Sequence, residues 1–337
     1  LTESTNRYEL ADFSEYNDIF LLHNSSGKLN GVKESIFMEN IKDYSGRWRW
    51  NMVNDFRPQS IEYSGIKCYP TANYVNYYGM QNGYPINDMT KADAESGYDP
   101  THPWKNRDPR FYKTIMFDGV KWKSTGGAGG TAELFTGGRE SEEANEKKGC
   151  FTAYMNSKLC PQLMNTVDGY KENNIMILSL MRLADVYLMY AEATAVGYNG
   201  PKGKAATYSL TAEEALNKIR ERAGVAPVLD KFLGSTADFL SELRRERAVE
   251  LSFEGFRFID LRRWMLLTQY PYTLKTKIEF DRADPSDYNY DEPEENAIKN
   301  LREVVLLERK YTDRHYWYPL PKKDVSMYEG FYQNPGW

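Results

Sequence analysis

Near residue 174 the hydrophobic period of this chain changes, and that change constrains the fold more than any other feature. From Asn174 onward Met176, Leu180, Leu183, Ala184, Tyr187, Leu188, Ala191 and Ala195 recur at three- and four-residue spacing, the period of an amphipathic helix, and Gly197 closes the run. A second helix is expected from Thr211, with Glu214 at the capping-box position, through Ala215, Leu216 and Ile219 to Gly224 ahead of Pro227. A third opens at Ser235 with Asp238 three residues on and carries Phe239, Leu240, Leu243, Val249 and Leu251; Gly255 separates it from a shorter fourth over 256–267. Two helical hairpins in succession have the texture of tetratricopeptide-type pairs, with the motif residues of that repeat partly present.

The flanks read differently. Residues 1–172 are rich in Asn, Gly, Tyr and Trp with only short apolar runs, which predicts short strands, turns and structured loops. Within them the glycine-rich 124–131 and the polar 137–148 are expected to be mobile. Beyond Tyr270 the prolines Pro271, Pro285 and Pro293 lie in an acidic, tyrosine-bearing stretch expected to be irregular. The end, with Pro319, Pro321 and Pro335, is expected to lie extended over the rest. The expected fold is therefore mainly α, with helical hairpins over 173–270 packed against a loop-rich part over 1–172 and an extended segment over 271–337, all in one domain.

Composition narrows the function classes. Over 337 residues the net charge is −5 with no block of Lys and Arg, which argues against nucleic acid. The mean hydropathy is −0.68, and no apolar run approaches the roughly 20 residues of a membrane helix. The first residues show no basic region followed by an apolar stretch, so no targeting peptide is expected within them. Tyrosine is the excess: 26 Tyr against 15 Phe suits wet recognition surfaces and suggests a binder. Three cysteines and three histidines are scattered without metal-ligand spacing, and Gly203-Lys204 lacks the rest of a phosphate loop. Neither metal nor cofactor is expected.

The row Glu242, Glu246, Glu250 and Glu254 is interleaved with Arg244, Arg245 and Arg247 and followed by Arg257, Asp260, Arg262 and Arg263, so it is expected to form ion pairs that fix helix register. The acids between Asp281 and Glu295 match no calcium loop and read as a solvated acidic loop. A pair of glycosidase carboxyls stays possible among 48 acids, and nothing in the sequence favours it.

Three strings turn this texture into a resemblance: Arg182-Leu183-Ala184-Asp185-Val186-Tyr187-Leu188-Met189-Tyr190-Ala191-Glu192-Ala193, Leu216-Asn217-Lys218-Ile219-Arg220-Glu221-Arg222-Ala223-Gly224-Val225, and the stretch from Arg245-Glu246-Arg247 through Gly255-Phe256-Arg257 to Arg262-Arg263-Trp264. With Asn106-Arg107-Asp108-Pro109-Arg110-Phe111-Tyr112 upstream and Gln333-Asn334-Pro335-Gly336-Trp337 at the end, the chain resembles the SusD/RagB family of outer-membrane nutrient-binding proteins over most of 36–337. Family members are usually longer, so the chain is expected to correspond to the C-terminal two-thirds of one, without the N-terminal helices and the lipid-bearing cysteine. The resemblance implies non-catalytic capture of an oligosaccharide, or less often a peptide. The captured ligand would pass to a SusC-like TonB-dependent transporter from a lipid-anchored position on the outer face of the outer membrane. A peptide-binding helical-repeat adaptor and a glycoside hydrolase are the alternatives.

Within the loops the candidate ligand contacts are Trp48, Trp50, Tyr77, Tyr78, Tyr84 and Trp104, with Asn76 and Asn82 as polar partners, because aromatic rings stack on sugar faces and amides bind hydroxyls. Tyr77-Tyr78-Gly79 and Asn82-Gly83-Tyr84 form the best cluster, since glycine would free the backbone to turn the rings outward. For each ring the competing reading is that it packs the loop layer against the helices.

Overall fold

The computed structural model describes residues 7–23, 32–38, 69–122, 124, 130–144, 149–159, 174–176 and 179–337. Four helices form the scaffold, preceded by two short ones, α1 (Ala72–Val75) and α2 (Pro109–Thr114). They are α3 (Leu183–Gly197), α4 (Ala212–Ala223), α5 (Thr236–Glu250) and α6 (Phe256–Arg263). The caps act where the sequence places them: Thr211 and Glu214 close a reciprocal capping box on α4, Gly224 ends it in the left-handed conformation, and the Ser235 hydroxyl accepts from the Asp238 amide at the start of α5. Helix α3 packs on both α4 and α5 around Leu188, Ala191, Leu216, Ile219, Phe239 and Leu243, all fully buried.

The first helix starts later than its periodicity predicts. Asn174–Met176 and Ser179–Arg182 are strands, pairing antiparallel with Leu21–His23 and Ser35–Met38 respectively. Arg182 is in extended conformation because its buried guanidinium is held by Glu34, Glu250 and Glu254, so the helix begins one residue beyond it. The stretch after Tyr270 is a larger correction. It holds the two longest strands among the described residues, Leu274–Arg282 and Ile298–Glu308, which form an antiparallel hairpin from Leu274↔Glu308 to Arg282↔Ile298. Thr276, Ile278, Phe280 and Arg282 alternate inward on the first of these strands, the period-two pattern of a half-buried strand. The prolines flank the hairpin or lie in its connecting loop, where no ladder bond is lost.

Much of the aromatic excess is core. Trp104 stacks on Phe117 at 5.0 Å and meets Phe280 edge-on at 5.3 Å; Phe111 stacks on Phe117 at 5.2 Å; Tyr16, Tyr98, Trp122 and Tyr154 are buried in the same cluster. Of the segment expected to be mobile, 137–144 is structured, with Glu140 and Ser141 buried and Arg139 paired to Glu140 at 2.8 Å; 125–129 and 145–148 lie outside the described residues. The C-terminal tail is not extended throughout, since a short helix α7 (Lys322–Met327) follows Pro321. Nor is it covered: Trp317, Tyr318, Tyr328 and Tyr332 are all exposed. It is attached to α6 through Arg262, which donates to the Tyr316 carbonyl and lies 4.1 Å over the Tyr318 ring.

Candidate functional site

Between α1, α5, α6 and the 274–308 hairpin lies a cavity of about 610 Å³. Its floor is where α1 meets the hairpin. The Asn73 amide donates to the Leu274 carbonyl (2.9 Å), its backbone N–H donates to the Thr276 hydroxyl (2.8 Å), and Thr276 in turn donates to Glu303 (2.6 Å). Asn76 donates weakly to the other Glu303 oxygen at 3.4 Å, while its own side-chain oxygen is buried and accepts nothing among the described residues.

One wall is aromatic and cationic. Arg257 of α6 donates to the Tyr77 hydroxyl at 2.7 Å and lies 4.6 Å over the Tyr77 ring and 5.5 Å from that of Tyr272. Burial pushes the Tyr77 phenol up, and the Arg257 charge opposes this in part. On α5, Arg245 is fixed by Glu242 and by the carbonyls of Tyr77 (3.2 Å) and Gly83 (3.1 Å). Arg244 lies 5.3 Å over Trp264, and its Nε is buried without a partner. The arrangement offers flat rings, carboxylate and amide acceptors, and guanidinium donors around a space large enough for several sugar rings or a short peptide.

The cluster named from the sequence is divided by the structure. Asn76 and Tyr77 line the cavity. Tyr84 is half-buried beneath Lys231, whose ammonium is 4.4 Å from the ring, next to the cavity residue Pro85. Asn82 faces a separate, open depression with Gln81, Ser96 and Asn106, and its amide donates to the Ser96 carbonyl at 3.0 Å. Tyr78 and Trp104 are corrected to core: both are 0% exposed, and the Tyr78 hydroxyl donates to Ser252 (2.7 Å) while accepting from Thr114 (2.8 Å). Gly79 does not turn rings outward; a side chain there would meet the Tyr84 carbonyl at 2.4 Å, so its role is close approach of two chain segments. Trp48 and Trp50 lie outside the described residues.

Sequence reasoning missed Arg244, Arg257, Tyr272, Thr276 and Glu303 as cavity residues. For Arg244 a signal existed: the positions three and four residues away on α5 are Leu240, Ser241, Arg247 and Ala248, none of them an acid. The alternation Leu274-Lys275-Thr276-Lys277-Ile278-Glu279-Phe280 likewise marked the strand that brings Thr276 to the floor.

The other charged residues of α5 and its neighbours form a closed ladder. Arg110 pairs with Asp108 (2.7 Å), Glu246 and Glu250 (3.0 Å). Arg182 pairs with Glu34 (2.6 Å), Glu250 and Glu254 (both 2.7 Å). Arg220 joins Glu242 and Glu246, and Arg222 joins Glu34 and Glu250. Burial alone would raise the Glu246 carboxyl, but Arg110 and Arg220 outweigh it and hold it at about 2 against an ordinary 4.5; Glu250 is held well below 4.5 by Arg222, Arg182 and Arg110 against the same penalty. Among the described residues no cluster of His, Cys, Asp and Glu is arranged to hold a metal ion, and no helix is long and apolar enough to cross a membrane.

A scaffold of tetratricopeptide-like helix pairs, a loop-rich aromatic half and a cavity between them define a SusD-like fold. A model of the SusD family matches residues 33–337, and the chain belongs to that family. Among solved structures it is similar to a SusD-like protein from Bacteroides fragilis (TM-score 0.71, 22% identity, 98% of this chain and 59% of that one). It is also similar to a SusD-like carbohydrate binding protein from the same species (TM-score 0.61, 20% identity, 94% and 57%) and to a SusD superfamily protein from Parabacteroides distasonis (TM-score 0.51, 18% identity, 99% and 55%). The chain thus spans less than two-thirds of the length of each of these structures. No curated protein matches it.

Proposed function

We propose that this chain is the ligand-holding part of a non-catalytic nutrient-binding protein, and that the cavity between α1, α5, α6 and the 274–308 hairpin captures an oligosaccharide. The observation that carries the reading is the cavity wall itself: Tyr77 and Tyr272 offer ring faces while Asn76, Glu303 and Arg257 stand around them as hydrogen-bonding groups. Sugars need that combination, an apolar face for the ring carbons and directional partners for the hydroxyls. The cavity draws on all three stretches of the chain, so the helices supply ligand contacts as well as scaffold. In the whole protein the captured saccharide passes to a SusC-like TonB-dependent transporter, with the binding protein lipid-anchored on the outer face of the outer membrane.

Titration calorimetry of the purified chain against polysaccharides and peptide mixtures, with chromatography for released products, tests this. The expected outcome is saturable glycan binding without products, weakened at least tenfold by Tyr77→Ala with the helices still folded. Binding of peptides alone moves the assignment to the peptide-importing branch, and release of shortened saccharide moves it to a hydrolase.

A further inference from the structure

Three arginines and three acids line the cavity, so formal charge selects nothing; their partners do. Glu242 is held by Arg220 and Arg245, Asp88 accepts from the Thr90 backbone and hydroxyl and pairs with Lys91 at 3.2 Å, and Glu303 accepts from Thr276 and Asn76. Each acid therefore has donors of its own. Among the described residues, Arg245 is the one of these arginines with a carboxylate; Arg257 bonds to the Tyr77 hydroxyl and to no described acid, and Arg244 makes neither a hydrogen bond nor an ion pair to any described residue.

Both free guanidinium groups are nonetheless held in place. Arg244 is laid over Trp264 and Arg257 over Tyr77, stacking that fixes the plane of a donor fork and leaves its edge available. Of the other arginines on α4, α5 and α6, Arg220, Arg222, Arg247 and Arg263 are each closed by carboxylates, and Arg262 by the Tyr316 carbonyl.

We propose that the saccharide bound here carries a carboxylate, a uronic acid unit docked on the guanidinium groups of Arg244 and Arg257, with its hydroxyls toward Asn76 and Glu303. A guanidinium meets a carboxylate in a paired, planar geometry that neutral sugars do not offer. The Tyr272 ring beside Arg257 in the cavity wall gives the apolar face of a sugar a place to lie, which favours a sugar acid over a simple anion. This inference rests on the saccharide reading above, and the experiment separates the two.

Oligosaccharides from polygalacturonate, alginate and a glucuronate polymer are titrated into the chain, each beside its carboxyl-reduced counterpart. At least one uronate is expected to bind ten or more times tighter than its reduced form. In an Arg244→Gln/Arg257→Gln chain that ratio falls toward one, with the thermal transition checked to show the fold is kept. Arg244→Gln alone, which removes no hydrogen bond or ion pair among the described residues, is expected to lower the ratio in part and covers the case in which the double variant does not fold. Equal binding of acid and reduced forms overturns this inference and leaves the saccharide reading standing. Binding of neither form overturns this inference while the polysaccharide screen decides the saccharide reading, and a preference that survives in the variants overturns the role of these arginines.

Discussion

On helix α5, charged residues two positions apart meet opposite surroundings. Glu246 has two arginines within ion-pair distance and almost no exposure; Arg244 has none among the described residues and borders an open cavity. The same contrast separates the two sides of the molecule. Toward α3, α4 and the loop-rich half, the ladder of Arg110, Arg182, Arg220 and Arg222 with Glu34, Glu246, Glu250 and Glu254 is closed on itself. Toward the hairpin, Arg244 and Arg257 are oriented by rings and have no counter-charge among the described residues. Residue type therefore says little about role here. A buried charge paired with carboxylates specifies how segments assemble, and a positioned charge without one is a place for a ligand.

Removing Glu250 gives the largest expected effect. It contacts Arg110, Arg182 and Arg222 at once, so Glu250→Ala leaves three buried guanidinium groups short of a partner and should cost about 3–5 kcal/mol of stability, read as a lowered thermal or denaturant midpoint. Arg244→Gln should move the same midpoint by less than about 0.5 kcal/mol. Equal losses would erase the distinction between the two regions. Acid sharpens it further. Because the ladder carboxylates titrate below their ordinary 4.5, the unfolded chain binds more protons than the folded one as pH falls through that range. Stability should hold from neutrality down to about pH 5 and be lost progressively between 4.5 and 2, following Glu246.

The next effect concerns adjacent rings. Tyr78 lies at 0% exposure with both hydroxyl partners in the core, so Tyr78→Ala should cost about 3–5 kcal/mol by cavity formation and leave the Ser252 hydroxyl without the donor it has from Tyr78, while Thr114 keeps the Arg110 carbonyl. Tyr77→Ala should act chiefly on ligand binding. A ligand-binding loss for Tyr78→Ala without a stability loss would contradict its place in the core.

These neighbours also show what could be read beforehand. The helices were legible because caps and period agree: Thr211 with Glu214, Gly224, Ser235, and the Leu188-Ala191-Ala195 line. The ladder was legible in part, since its four-residue row of acids faces arginines that only the fold brings near, such as Arg110 and Arg182. The 274–308 hairpin was hidden by nearby prolines although Thr276 to Phe280 alternate cleanly. The division between Tyr77 and Tyr78 was not legible at all. Two adjacent tyrosines carry the same local signal, and which one turns inward is decided by Ser252 and Thr114, distant in sequence.

The smallest expected effect lies on the cationic side. Lys275 is half-buried on the hairpin, and burial together with Arg309 and Arg257 lowers its pKa from 10.5 to about 8, with no acid paired to it among the described residues. A lowered lysine pKa means that the unfolded chain holds the proton more tightly, so below pH 8 this residue works against folding and between 8 and 10.5 that cost is relieved as pH rises. Lys275→Met should accordingly raise the denaturant midpoint at pH 7, raise it less at pH 9, and leave it unchanged above 10.5. On the ladder side burial likewise brings Lys158 down to about 8, but its partners reverse the expectation: it pairs with Glu254 at 2.6 Å and donates to the Glu250 and Ser252 carbonyls, so Lys158→Met should destabilise at pH 7 because Glu254 is left with Arg182 alone and two backbone carbonyls lose a buried donor. If both substitutions destabilised at pH 7, Lys275 would have to be engaged like Lys158, and the contrast between a closed and an open side would fail at its weakest point.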